Sequence, residues 1–396
     1  MKTKLIIFGI TGDLSRRKLL PVLDQIVRGG DCEPLSIIGV SRREVNVAEL
    51  IQESTQNNLL IDRTSIYTMD LATPSDYAGL KNYVDLQQDE QAVIYLSVPP
   101  SAAADIVDFL GEAGFNTPNV KIMFEKPFGF DLSSAQEFVE RTMRYFSEDQ
   151  IYRIDHYMAK EVAAEIIRMH VSAQQHHHDW THEKVESVEI IASETLGVED
   201  RAAFYEQTGA LRDILQGHLM QLLSLVLLDA SDDFDLEVLP ARRLDALQHL
   251  QPSDPTKAIR AQYQGYDTEV DNPGSQTETF ASVELSSSDP RWQHVPLRLT
   301  TGKRLNEKKT AITIHYKDGT SDTFEEGKVG PDDIRLPDAY ERVLVEAIQG
   351  RKYIFTTSPE IIRSWQILAP VQQSWEMDMG TLRHYPQGSR ADELIG

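Results

Sequence analysis

The stretch Arg153-Ile154-Asp155-His156-Tyr157-Met158-Ala159-Lys160-Glu161 sets an acid, a histidine, a phenol and a lysine side by side. Ile151–Ile154 reads as a short strand. Lys160–Met169 reads as a helix with Val162, Ile166 and Met169 inward, so the polar residues fall at a strand-to-helix turn. His156 and Lys160 are spaced to share one face near the N-terminus of a helix that begins here. Cationic donors beside free backbone N–H groups suit a phosphate monoester. Asp155 would repel such a group, which gives it a different task, such as orienting a histidine base. The plainer alternative is a charged helix start with Asp155 as an ordinary N-terminal carboxylate. A second candidate is His218, inside the segment Gly209–Leu223, which is apolar on most faces and reads as a buried helix. A histidine in such a place is usually a satisfied core residue.

The elements that must position these groups follow from composition and periodicity. The chain has 396 residues, enough for two domains, with 41% hydrophobic and 26% charged residues. Its net charge of −23 argues against nucleic acid and against an anionic membrane surface as partners. A chain this acidic has to gather its cations locally wherever it binds a phosphate. The clusters are Arg16-Arg17-Lys18, Arg42-Arg43, Lys126, His156 with Lys160, and Lys303-Arg304. Cys32 is the single cysteine, so no internal disulfide forms, which fits a reducing cytoplasm. MKTKLIIFGI reads as a first strand rather than a signal peptide, because its short apolar run gives way to Thr11, Gly12 and Asp13. The best apolar stretch, Leu219–Leu228, is too short to span a membrane.

Lys4–Phe8 is a strand, Gly9–Ser15 a glycine turn, and Leu14–Val27 a helix with a kink expected at Pro21. Gly9 permits the tight turn, and Gly12 lets a pyrophosphate approach the helix N-terminus. Two glycines alone are a weak signal. The next strand, Leu35–Val40, ends in Ser41-Arg42-Arg43. An arginine in place of the usual acid suits a 2′-phosphate, so Arg42 points to NADP, whereas Arg43 competes with a solvated charge. Strands at 65–69, 92–98 and 120–124 alternate with helices at 44–58, 76–88, 101–114 and 132–146. That alternation predicts an α/β fold with a Rossmann-type, doubly wound parallel sheet over residues 1–154. Ligands of such sheets bind at the carboxyl ends of strands, where Gly9, Arg42, Val98 and Lys126 fall. Strands at 185–192, 259–263, 280–285, 296–300 and 311–316 predict an α+β domain over 155–396 with a mostly antiparallel sheet.

Motifs in the same order give the chain a resemblance to the glucose-6-phosphate dehydrogenase family. Gly9–Leu19 resembles its coenzyme fingerprint G-x-T-G-D-L-x-x-R-K-L, and Glu125-Lys126-Pro127-Phe128-Gly129 its second signature, which a wider group of Rossmann sugar oxidoreductases shares. Arg153–Glu161 is similar to R-I-D-H-Y-L-G-K-E, differing at Met158 and Ala159. Gly209–Leu222 is similar to G-A-L-x-D-x-x-Q-N-H-x-x-Q-L, with Gly217 for the asparagine. Thr300–Leu305 resembles R-S-G-K-x-L, with Thr300 for the arginine.

The resemblance implies oxidation of β-D-glucose 6-phosphate at C1, with NADP as acceptor, to 6-phosphoglucono-lactone at the start of the pentose phosphate pathway. His218 would be the base and Asp155 its partner. Lys126, His156, Tyr157, Lys160, Glu194, Asp213 and Lys303 would hold the sugar phosphate. Gly9, Thr11, Gly12, Asp13, Leu14, Arg42, Val98 and Lys126 would hold the coenzyme. A histidine titrates near working pH and a carboxylate on its far nitrogen fixes the tautomer, so these types suit the chemistry. Other departures are Ala164-Glu165 for Gln-Asn and a short polar connection from Tyr316 to Pro337 where the family places further strands. The chain therefore reads as a shortened member, without a second, structural NADP site. Its oligomeric state is open, a homodimer being the family arrangement. The run His176-His177-His178-Asp179 reads as a solvated loop, and no catalytic metal is expected. Two alternatives stand: a dehydrogenase of a different hexose or hexose phosphate, and a non-catalytic NADPH-binding regulator. An intact His218–Asp155 pair argues against the regulator.

Overall fold

Leu5, Ile6, Ile7 and Phe8 have no exposed surface. A continuous apolar run covered on both faces is what the centre of a parallel sheet requires. In the computed structural model this run is the end of β1 (Lys2–Phe8). All residues are described except 31, 33, 56, 177–179, 230–234, 329–336, 379 and 381, together with the side chains of 172–176. The chain divides into two units, Met1–Gly129 with Ser133–Ala159 and Leu336–Ser358, and Phe130–Leu132 with Lys160–Arg335 and Pro359–Gly396.

In the first unit β1 pairs in parallel with β2 (Leu35–Ser41), which pairs with β3 (Thr64–Thr68). On its other side lie β4 (Glu90–Leu96), β5 (Val120–Phe124) and β6 (Ile151–Ile154), also parallel. Helices Leu20–Gly29, Val47–Ser54, Pro74–Val84 and Pro100–Glu112 make the connections. The strand order reverses between β1 and β4, the switch point at which such sheets open a crevice. The first helix opens with a wide turn, Ser15–Leu19, in which the Leu20 N–H bonds to the Ser15 carbonyl. Pro21 has no N–H for the α pattern, so the expected kink takes the form of a π turn just before it.

The second unit holds β7 (Val185–Ser193), β8 (Ala258–Tyr263), β9 (Phe280–Leu285), β10 (Leu297–Gly302), β11 (Lys309–Tyr316) and β12 (Ser321–Glu325). Along β7, Val185, Val188, Ile190 and Ala192 are buried while Glu186 and Glu189 are exposed, the pattern of a sheet with one wet face. β12 corrects the expectation of a plain polar connection after Tyr316. Thr323 and Phe324 pair with Thr313 and Ile312, which makes this stretch an edge strand. Its polar composition hid it, because an edge strand has few inward positions to fill. Phe355–Thr356 forms β13, antiparallel to β6 at the edge of the first sheet. β14 (Arg383–Tyr385) pairs with β8. The second sheet runs β12-β11-β7-β10-β9-β8-β14, with parallel pairs only at β7/β10 and β8/β14, and is mostly antiparallel as expected.

A single cut at 154/155 does not describe this partition. Residues 155–159 stay with the first unit, and the helix Ala339–Gln349 returns to it. Gln91 donates to the Ile348 carbonyl at 2.8 Å, and Lys121 to that of Ala347 at 2.8 Å. Among the described residues no helix is long and apolar enough to cross a membrane.

Candidate functional site

At the switch point the ends of three strands converge on the glycine turn. The Gly9 N–H donates to the Val40 carbonyl at 3.2 Å, and Ser97 N–H to that of Phe8 at 3.1 Å. Gly9 has φ +78°, and a Cβ there would lie 2.2 Å from the Ser97 oxygen, so no other residue fits. Ser15 Oγ donates to the Gly9 carbonyl at 2.9 Å and clamps the turn to the helix start. The result is a cavity of about 450 Å³ whose wall includes Gly9, Thr11, Gly12, Arg42 and Val98. These are five of the expected coenzyme residues. Asp13, Leu14 and Lys126 are not on the wall, and the Asp13 carboxylate instead pairs with Arg17 at 2.6 Å on the exposed side of the turn. Asp70, Leu71 and Ala72, after β3, also line the wall and went unnoticed in the sequence. Their place at the carboxyl end of the strand next to β2 is the signal that would have found them. A glycine turn with room for a close approach, at the carboxyl ends of parallel strands, fits a nicotinamide dinucleotide.

The ends of β5 and β6 carry the next residues. Lys126 follows β5 and is joined to Pro127 by a cis peptide bond. Its neighbour Glu125 accepts a hydrogen bond from the Tyr95 hydroxyl. Burial, with the nearby Asp155 carboxylate adding to it, pushes the Glu125 carboxyl up from the usual 4.5 to about 7, even though the Tyr95 bond pulls it down. Asp155 is buried at the end of β6, where Oδ1 accepts the Tyr157 N–H at 3.0 Å. Its carbonyl accepts from Met158 at 3.0 Å. These bonds close His156–Ala159 into a tight 3-10 turn, and the α-helix starts only at Glu161. His156 and Lys160 therefore do not share a helical face, which corrects the sequence expectation. An aspartate that bonds to the backbone two residues on favours a turn over a helix at that point. His156 meets the Tyr157 ring edge to face at 5.0 Å. Arg153 is fully buried as a brace, donating to Glu148 at 2.8 Å and to Ser358 Oγ at 2.6 Å.

In the second unit Gly209 (φ +62°) breaks the helix Ala202–Ala210, and a wide π run, Leu211–Leu219, follows before the helix Met220–Val226. The Glu278 carboxylate caps the break, accepting the Leu211 N–H at 2.9 Å. Asp213 and His218 both lie on the π run. A lengthened turn changes which residues share a face, and this one follows the break at Gly209. His218 is buried at 3% exposure. Asp213 pairs with Arg201 at 3.6 Å. Glu194, just after β7, pairs with Lys303, just after β10, because those strands are parallel neighbours ending level at Ser193 and Gly302. Lys303 Nζ lies 5.2 Å from the centre of the Tyr205 ring. Burial, followed by the charges of Asp213 and Glu278, drives the Tyr205 hydroxyl well above its ordinary value. Tyr205 is the residue the sequence did not point to. It packs in a cluster with Tyr263, Tyr266, Phe280 and Tyr385, and the Tyr385 hydroxyl donates to the Lys303 carbonyl at 2.7 Å.

The structure thus brings Glu194, Lys303 and Asp213 around Tyr205. Lys126, Asp155, His156 and Tyr157 belong to the first unit, and Lys160, Glu194, Asp213, His218 and Lys303 to the second. Of the histidine run, residues 177–179 lie outside the described residues.

Comparison with known proteins covers both units. The sequence model for "Glucose-6-phosphate dehydrogenase, NAD binding domain" matches residues 6–164, and that for "Glucose-6-phosphate dehydrogenase, C-terminal domain" matches 168–336 and 328–394. A glucose-6-phosphate 1-dehydrogenase from Gluconobacter oxydans (strain 621H) is 30% identical, over 98% of this chain and 94% of the relative. That alignment runs over 460 positions against 396 residues here, so the relative carries residues this chain lacks. A solved glucose-6-phosphate dehydrogenase in complex with its substrate glucose-6-phosphate has a TM-score of 0.89 at 26% identity, over 98% of this chain and 95% of the other. The crystal structure of glucose-6-phosphate 1-dehydrogenase from Mycobacterium avium gives 0.86 at 26% identity, over 99% and 95%.

Proposed function

The chain belongs to the glucose-6-phosphate dehydrogenase family, and on that premise we propose that it oxidises β-D-glucose 6-phosphate at C1 with NADP. The product is 6-phosphoglucono-lactone, the first step of the pentose phosphate pathway. The coenzyme, when bound, would supply the acceptor for the hydride that leaves C1 of the sugar. His218 takes the O1 proton, and Asp155 holds the imidazole in the tautomer that leaves the reacting nitrogen bare. Asp213 and Glu194 accept from sugar hydroxyls, with Lys303 holding the Glu194 carboxylate in place. Lys126 donates to the substrate, and His156, Tyr157 and Lys160 bind the phosphate. Gly9, Thr11, Gly12, Arg42 and Val98 hold the coenzyme, and Arg42, where an NAD enzyme carries an acid, supports NADP.

One observation carries the reading: a buried histidine on the same π run as Asp213, in the same unit as the Glu194–Lys303 pair. A pure binder of coenzyme has no use for this arrangement. The test is absorbance of the reduced nicotinamide with NADP and glucose 6-phosphate, with His218→Asn in parallel. Wild-type turnover and a loss of roughly 10²–10⁴ in kcat for the variant are expected. A wild type silent with both NADP and NAD refutes the substrate assignment. Cytoplasmic action and a homodimer go with this reading, and a single species of monomer mass in sedimentation refutes the dimer.

A further inference from the structure

Three consecutive residues at the start of the π run are tied to parts of the second unit remote in sequence. In an unbroken α-helix the Leu211 N–H would bond four residues back, to Gln207. Gly209, at φ +62° and ψ −178°, breaks that ladder, and Glu278 takes the two amide donors beyond the break. Its carbonyl accepts the Ala210 N–H at 2.9 Å, and its Oε1 accepts the Leu211 N–H at 2.9 Å. A Cβ on residue 209 would lie 2.4 and 2.6 Å from the two carboxylate oxygens, so the side chain is pressed against the break itself. Arg212 comes next, donating from Nε to the Phe130 carbonyl at 2.9 Å and from Nη2 to Glu376 at 2.8 Å. Burial pushes the Glu278 carboxyl up, while the Leu211 bond and the charges of Arg212 and Arg260 pull it down. The acceptor oxygen, rather than a full negative charge, is what the Leu211 N–H requires, since an uncharged oxygen also accepts it.

We propose that Glu278 is a positioning residue for the reaction: it fixes where the π run starts, so that Asp213 and His218 work from one side of it. The proposal rests on His218 being the base and Asp213 a ligand of the sugar. Inside the run the Met220 N–H reaches back five residues to the Leu215 carbonyl. On an α-helix, residues five apart point about 140° away from each other. Where the bonds reach five back, the fifth residue comes round to the same side. Five is the spacing of Asp213 and His218. The first amides of a helix have no acceptor within it. Glu278 supplies two of the missing acceptors from one residue, which sets the first turn and with it the direction of each side chain that follows. Its effect on the reaction passes through Asp213 and His218, because its own carboxyl is spent on the break.

The experiment compares the full chain with Glu278→Ala, which removes the acceptor, and Glu278→Gln, which keeps an oxygen for the Leu211 N–H. Two readouts are taken: kinetics with NADP and glucose 6-phosphate, and an NMR titration of histidine-labelled protein with the His218 signal assigned by its loss in His218→Asn. In Glu278→Ala, kcat should fall roughly 10–100-fold and KM for the sugar phosphate should rise, while KM for the coenzyme holds. The His218 titration should shift in the same variant. Glu278→Gln should restore most of the kcat and the wild-type titration. With Glu278→Ala in place, His218→Asn should cost far less than it does alone, because the two residues act as a unit. Glu278→Asp, one methylene short of the amide, takes the place of the alanine variant if that one does not fold. A wild-type kcat and His218 titration in Glu278→Ala overturn the proposal. So does a glutamine variant as impaired as alanine, or a double variant in which the two costs multiply in full. A wild type without turnover refutes the proposed reaction instead, and the NMR titration then decides for or against Glu278 by itself.

Discussion

Glu125→Gln isolates one buried carboxyl at the end of β5. Three titratable groups face it from other elements: Tyr95 from β4, Asp155 from the end of β6, and Tyr340 from the helix Ala339–Gln349. Only Tyr95 bonds to it directly, and it does so as a donor to Oε1, which a glutamine oxygen accepts equally well. The folded-state carboxyl titrates at about 7 against a usual 4.5. Below pH 4.5 it is protonated in the folded and unfolded chains alike, and the burial cost is absent. As pH rises from 4.5 to 7 the unfolded chain ionises while the folded one holds its proton, so stability falls, and the loss is complete above 7. At about 1.4 kcal/mol for each tenfold in acidity, the full loss is roughly 3 kcal/mol. Glutamine does not titrate. The stability of the variant relative to wild type should therefore rise by roughly 2–3 kcal/mol between pH 5 and pH 8. Urea midpoints of both proteins across that range, followed through the first unit, measure it. A difference that stays flat with pH would show that Glu125 is ionised in the folded protein at all these values, and the argument from burial would be wrong.

Three further outcomes concern the second unit. Glu360→Ala removes the carboxylate whose Oε1 lies 2.7 Å from Arg243 Nε, with both side chains fully buried; losing this buried ion pair should cost about 3–5 kcal/mol in denaturant titration. Gly209→Ala meets a positive φ and would set a Cβ about 2.4 Å from the Glu278 carboxylate that caps the π run, so it should lose at least ~1 kcal/mol and lower kcat together; unchanged kcat and melting temperature would count against the strained start of that run. Tyr385→Phe leaves the Lys303 carbonyl without its 2.7 Å donor in a buried place, at a cost of about 1–3 kcal/mol, with KM for the sugar phosphate raised as the Lys303 loop loosens.

Much of the first unit was legible in the chain. The apolar runs at Leu5–Phe8, Ile37–Val40, Val93–Leu96 and Ile122–Phe124 became strands at nearly the expected bounds, because a strand buried on both faces writes itself as an unbroken apolar run. Gly9 was legible for a similarly local reason: a tight turn at the end of a strand admits only glycine. Residue types around Asp155, Asp213, His218 and Lys303 marked candidate chemistry, and spacing placed them at strand ends or on a helix. Local pattern did not reach the turn at His156–Ala159, where a side-chain bond from Asp155 overrode helical spacing, nor the polar edge strand β12.

The sequence by itself determined the alternation of strands and helices, the glycine turn and the chemical types available at each strand end, since all of these depend on residues close together in the chain. Only the tertiary structure decided the rest. It set the Glu194–Lys303 pair, through the parallel register of β7 and β10, and the Tyr205 ring beside Lys303. It placed a glutamate far along the chain as the cap at the start of the π run, and it returned Ala339–Gln349 to the first unit. Each of these comes from contacts between residues remote in sequence, whose energies no local period records.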